Sequence, residues 1–74
     1  MTTDEIKTAL APYGATLNEA GFITRNGKDL SVRPVVSGKR IRFESADGLL
    51  LASCRACTDG VVHFVTKFWF WKPV

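Results

Sequence analysis

The chain has 74 residues, 46% of them hydrophobic, and a formal net charge of +3. That length makes one domain, residues 1–74, which buries only about 60% of its unfolded surface, so a bound partner or a homodimer is an expected support. The apolar fraction excludes disorder, no run nears the ~18 apolar residues of a membrane helix, and MTTDEIKTAL is too acidic to open a signal peptide.

A helix opens the chain. Thr3 is placed as its N-cap, with Asp4 and Glu5 in the first turn, where the helix dipole favours carboxylates. Ile6, Ala9 and Leu10 fall at i, i+3 and i+4 and form one apolar stripe. Pro12 either ends this helix near Ala11 or kinks it, and in the second case residues 15–20 add a further turn with Leu17 inward.

Gly21 to Glu44 reads as three antiparallel strands joined by two tight turns. Asn26-Gly27 is a strong type I′ hairpin signal, since both central residues of that turn need φ > 0. Ser37-Gly38 is a second turn of the same kind. Two-residue loops place Ile23 opposite Leu30, Pro34 opposite Ile41, Arg33 opposite Arg42 and Val32 opposite Phe43. All the apolar members then share one face.

Ser45-Ala46-Asp47-Gly48 is a turn with two continuations. Ala46-Asp47-Gly48 makes a three-residue hairpin loop leading to a strand over 49–53, with Leu51 opposite Phe43. Alternatively Asp47 caps a helix over 48–57. The Asp-Gly turn and the preceding meander favour the strand. Val61 to Trp71 is rich in β-branched and aromatic residues and reads as a long final strand. Its near-continuous apolar run needs cover on both faces. The fold class is therefore α+β: an N-terminal helix packed on a four- to five-stranded antiparallel meander sheet, with a barrel-like sheet as the variant.

No catalytic constellation stands out, and the chain is read as a non-enzyme without a cofactor. Cys54-Arg55-Ala56-Cys57 is a C-x-x-C. A thiol–disulfide oxidoreductase needs it at a helix N-terminus after a strand, and zinc needs a fourth ligand beyond Cys54, Cys57 and His63. Two core thiols are the simplest reading, reduced in a cytoplasmic setting. His63 has no nucleophile and carboxylate set beside it in sequence.

Charge is uneven. Arg25, Lys28, Arg33, Lys39, Arg40 and Arg42 crowd the hairpins, against Asp29 alone. The register places Arg33, Arg40 and Arg42 on the outer face, and like charges opposed across strands cost stability unless Asp29, Glu44 or an external anion offsets them. Trp69 and Trp71 fall on one face of the final strand, away from Phe64, Phe68 and Phe70. They either pack under the helix or mark a partner surface. The leading expectation is a non-catalytic protein-binding module, an inhibitor or adaptor, acting through Arg33, Lys39, Arg40, Arg42, Trp69 and Trp71. Its size is that of short viral inhibitors that phages encode against host defence complexes, a likeness of size alone. Nucleic-acid binding through the same basic residues is the second reading. A zinc- or thiol-dependent site is the third.

Overall fold

The computed structural model describes residues 1–67. Helix α1 spans Thr3–Leu10. Its N-cap is Thr2, one residue earlier than the sequence predicts. The Thr2 hydroxyl accepts from the Glu5 amide at 3.2 Å, and the Glu5 carboxylate accepts from the Thr2 amide at 3.1 Å, a capping box. Thr2 wins because only from that position does the cap meet a Glu at N3. The predicted stripe of Ile6, Ala9 and Leu10 is buried. Pro12 ends the α-helix as expected. A single 3₁₀ turn over Ala11–Tyr13 follows, and Gly14 at φ +72° reverses the chain.

Strands β1 (Ala15–Leu17), β2 (Ile23–Arg25) and β3 (Lys28–Asp29) form a small antiparallel sheet in that order. β1 replaces the alternative of a further helical turn: Ala15 and Leu17 are buried with exposed Thr16 between them, a period of two. Asn18 closes the β1–β2 loop. Its side-chain oxygen accepts from the Phe22 amide at 2.9 Å, and its own amide donates to the Phe22 carbonyl at 2.9 Å. The β2–β3 hairpin turns on Asn26 (φ +54°) and Gly27 (φ +78°), as predicted, with Arg25 opposite Lys28.

The predicted continuous meander breaks after β3. The Asp29 carboxylate accepts from the Ser31 amide at 2.7 Å, and Ser31 adopts φ +58°. This side-chain turn redirects the chain before the next strand, so a second sheet begins rather than a longer first one. That sheet contains β4 (Val32–Ser37), β5 (Arg40–Ser45) and β6 (Leu50–Arg55), antiparallel in sequence order. The meander of four to five strands is thus corrected to two three-stranded sheets.

The β4–β5 turn is Gly38-Lys39, not Ser37-Gly38, and Ser37 pairs with Arg40. Gly38 sits at φ +58° in the first central position, where a type II′ turn wants glycine. A type I′ turn at Ser37-Gly38 would have forced a non-glycine residue to φ > 0. Each β4 residue therefore meets a β5 residue two positions on from the predicted one. The faces are preserved: Val32, Ile41 and Phe43 all point inward and are buried. The β5–β6 loop is the predicted three-residue one. The Ser45 amide donates to the Leu49 carbonyl at 2.9 Å, with Gly48 at φ +83°. A bulge follows, because Glu44 pairs with Leu50 while Phe43 pairs with Ala52. Leu51, expected opposite Phe43, is the extra residue, and it is exposed.

The largest departure is helix α2, Thr58–Lys67, in place of the final strand as far as Lys67; residues 68–71 of that predicted strand lie outside the described residues. Gly60, Val61, Phe64 and Val65 are buried, and Thr58, Asp59, His63, Thr66 and Lys67 are exposed. That is helical spacing, i, i+1, i+4, i+5. As a strand, the segment would put His63 and Lys67 on the same face as Val61 and Val65. Burial of one helical face overrides the β propensity of the valines. α2 packs against α1 and β6, and the Phe64 ring stacks on Phe43 with centroids 3.8 Å apart and planes 5° apart. Among the described residues no helix is long and apolar enough to cross a membrane.

Candidate functional site

The outer face of the β4–β5–β6 sheet carries four arginines. Alternation along β4 and β5 sends Arg33, Arg40 and Arg42 outward, because Val32, Ile41 and Phe43 face the core. Arg55 joins them from β6, outward of buried Ala52 and Cys54. All four are exposed. Lys39, in the β4–β5 turn, is exposed at the edge of the same face.

Pairing on this face differs from the predicted one. Arg33 lies opposite Glu44, and Arg42 lies between Val35 and Ser53. The Arg42 guanidinium bridges to the Glu44 carboxylate at 3.2 Å along the same strand face. Arg33 stands 5.2 Å from the Phe22 ring centroid, a cation–π distance. The expected Arg33–Arg42 opposition is therefore absent. Asp29, expected to help balance the face, instead bonds the Ser31 amide and Asn18. Like charges do oppose each other elsewhere: Arg40 faces Arg55 directly. Arg40 donates to the Ser53 carbonyl at 2.8 Å and the Ser53 hydroxyl at 3.3 Å, which pins its guanidinium flat along β6.

Sequence reasoning did not single out Arg55. The alternation of Ala52 and Cys54 with Ser53 and Arg55 signals that Arg55 points outward. Its position opposite Arg40 depends on the bulge at Phe43/Glu44, without which Arg40 would meet Cys54.

Beside the basic face lies an apolar corner. Leu49, Leu50 and Leu51 are 66%, 53% and 48% exposed, and Leu50 pairs with Glu44 on the arginine side. Three consecutive exposed leucines exceed the scattered apolar residues normal on a surface. Trp69 and Trp71 lie outside the described residues.

The C-x-x-C spans the passage from β6 to α2. Both thiols are free. Cys54 is buried on the core side of β6, and burial raises its thiol above the ordinary value, with Arg40 pulling weakly the other way. A protonated, enclosed thiol is a poor nucleophile. Cys57 is exposed just before α2, and its carbonyl accepts the Val61 amide at 3.2 Å. Among the described residues no three Cys, His, Asp or Glu side chains are grouped to hold a metal ion. Comparison with models of known protein families, with curated proteins and with solved structures gives no match.

Proposed function

We propose that this chain is a non-catalytic protein-binding module, an adaptor or inhibitor, that docks through the outer face of its second sheet. The observation that carries the reading is the set of Arg33, Arg40, Arg42 and Arg55 on one sheet face with exposed Leu50 beside them, at the end of the sheet where Leu49 and Leu51 are exposed too. Arginine and bulky apolar side chains together suit a protein interface, where guanidiniums pair with carboxylates and leucines fill an apolar recess. The partner surface that fits is acidic with an apolar hollow beside it.

Nucleic acid is the second reading, favoured by the four exposed arginines taken alone. The leucine corner argues against it, because phosphate backbone offers that corner nothing to bury.

A photo-crosslinking side chain at Ser53, central on the face, tests the reading, with one at exposed Lys7 on α1, which packs on α2 and β1 behind the sheet, as control. In lysate of the native host, the Ser53 probe should trap one protein that the Lys7 probe does not, with or without nuclease. Adducts lost on nuclease treatment, or identical adducts from both probes, would overturn it.

A further inference from the structure

At the end of β6 a hollow of about 340 Å³ opens between the sheet edge and the first turn of α2. Arg40, Ser53, Arg55, Cys57, Asp59 and His63 line it. A second hollow shares Arg40, Arg55 and Cys57 with the first and adds Lys39. The size is at the lower end of the range for small-molecule sites, about 300–1,000 Å³.

The geometry points to a phosphate-binding site here, for a phosphate group held between Arg40 and Arg55 at the start of α2. Three observations converge. Arg40 and Arg55 oppose each other on neighbouring strands, and neither comes within ion-pair distance of a carboxylate among the described residues. Two guanidiniums side by side repel, and an oxyanion between them turns that repulsion into paired charge-assisted hydrogen bonds. Their places are fixed: Arg40 is held by Ser53, and the Ala56 amide donates to the Lys39 carbonyl at 3.0 Å, which keeps the two strands paired past Arg55.

The third observation is the floor of the hollow. Cys57, Asp59 and Gly60 border it, so it meets the positive end of a 10-residue helix, whose first amides have no partner within the helix. Gly60 brings that turn against the Arg55 backbone. Asp59 is the one carboxylate in the lining, against two arginines. Planar guanidinium forks match the oxygens of phosphate better than a lysine ammonium does. The volume exceeds a bare phosphate ion, so a phosphate monoester with a small organic part fits. Arg40 and Arg55 serve both readings, but Cys57, Asp59 and Gly60 lie off the docking face, so the phosphate titration succeeds or fails independently of protein capture.

The test is an amide-resolved NMR titration of the full chain with inorganic phosphate and, separately, with phenyl phosphate, each against sodium chloride at equal ionic strength. Saturable shifts should centre on the amides of Arg55, Cys57, Asp59, Gly60 and His63. Tighter binding of phenyl phosphate assigns the site to an ester, and equal binding assigns it to the free ion. Arg55→Gln should weaken binding by about tenfold or more, the usual worth of a charge-assisted hydrogen bond. Lys28→Gln removes the same charge on the other sheet and should leave binding unchanged. If Arg55→Gln does not fold, His63→Ala, on the exposed side of α2, carries the test with a severalfold weakening. Shifts no larger than those from chloride, or equal losses in the Arg55 and Lys28 variants, would overturn the assignment.

Discussion

Replacing Gly60 with alanine should destabilise the protein, although helix propensity alone predicts the opposite. Gly60 is in the first turn of α2, and alanine is favoured over glycine within a helix by about 0.8–1.0 kcal/mol. A Cβ at this position would stand 1.9 Å from the Arg55 carbonyl oxygen, 2.9 Å from its carbon and 3.1 Å from the Arg55 nitrogen. Those atoms are backbone: the Arg55 carbonyl accepts the Cys57 amide at 2.8 Å, and the next residue's amide is tied to the Lys39 carbonyl at 3.0 Å, so no side chain can swing aside. The end of β6 and the start of α2 would have to part by more than an ångström. Forced overpacking costs about 1–3 kcal/mol, and a clash this deep belongs at the upper end. Subtracting the propensity gain leaves a net loss of about 2 kcal/mol. A chain of this length has about 4–11 kcal/mol in all, so the loss is a large share. Urea unfolding followed by far-UV circular dichroism should show a lower midpoint at unchanged slope, and Tm should fall by about 8–16 °C. A Gly60→Ala protein as stable as the parent, or more so, would refute the close approach of α2 to Arg55.

Three further outcomes follow from the packing and the titration. Thr2→Ala removes the capping box of α1 and should cost about 1 kcal/mol in thermal unfolding, while Thr3→Ala should cost less than half of that. Phe64→Ala deletes the ring stacked on Phe43 and should cost about 3–5 kcal/mol by urea titration, enough to leave the fold marginal at 37 °C. Burial holds the Cys54 thiol above 9.0, so the native state keeps a proton that the unfolded chain begins to release near that pH. The stability this group contributes is whole below that value and falls as pH rises through it. Cys54→Ala should therefore lose less unfolding free energy than the parent as pH rises past the ordinary thiol range. Parallel losses in the two proteins would show that Cys54 has no part in the alkaline fall.

Features carried by two or three adjacent residues were legible in the sequence. Asn26-Gly27 fixed its hairpin because few residues reach φ > 0 cheaply, and Gly48 closed the three-residue loop for the same reason. The stripe of α1 and the outward arginines followed from periodicity. Features decided by competition between alternative local turns, or by packing of distant groups, were not legible. Ser31 in the left-handed region splits one sheet into two, and nothing in its identity announces that. The Gly38-Lys39 turn moved the register by two residues, which kept every face but exchanged Arg42 for Glu44 opposite Arg33. The reading of α2 as a strand came from Val61, Val62, Phe64, Val65 and Thr66, all of which favour a strand. The exposed positions His63, Thr66 and Lys67 held the helical period, but they count as evidence only once the buried face is known. The basic face was thus found in outline, and the Arg40–Arg55 pair was hidden behind a bulge.

The docking face is tested most directly by capture from native lysate with tagged parent and an Arg42→Gln, Leu50→Ser double variant, both after nuclease treatment. Surface changes at these two exposed positions should alter stability by less than about 1 kcal/mol, checked by thermal unfolding. The account predicts a protein retained by the parent and lost from the folded variant. Equal capture by both, or recovery of nucleic acid alone when nuclease is omitted, would contradict it.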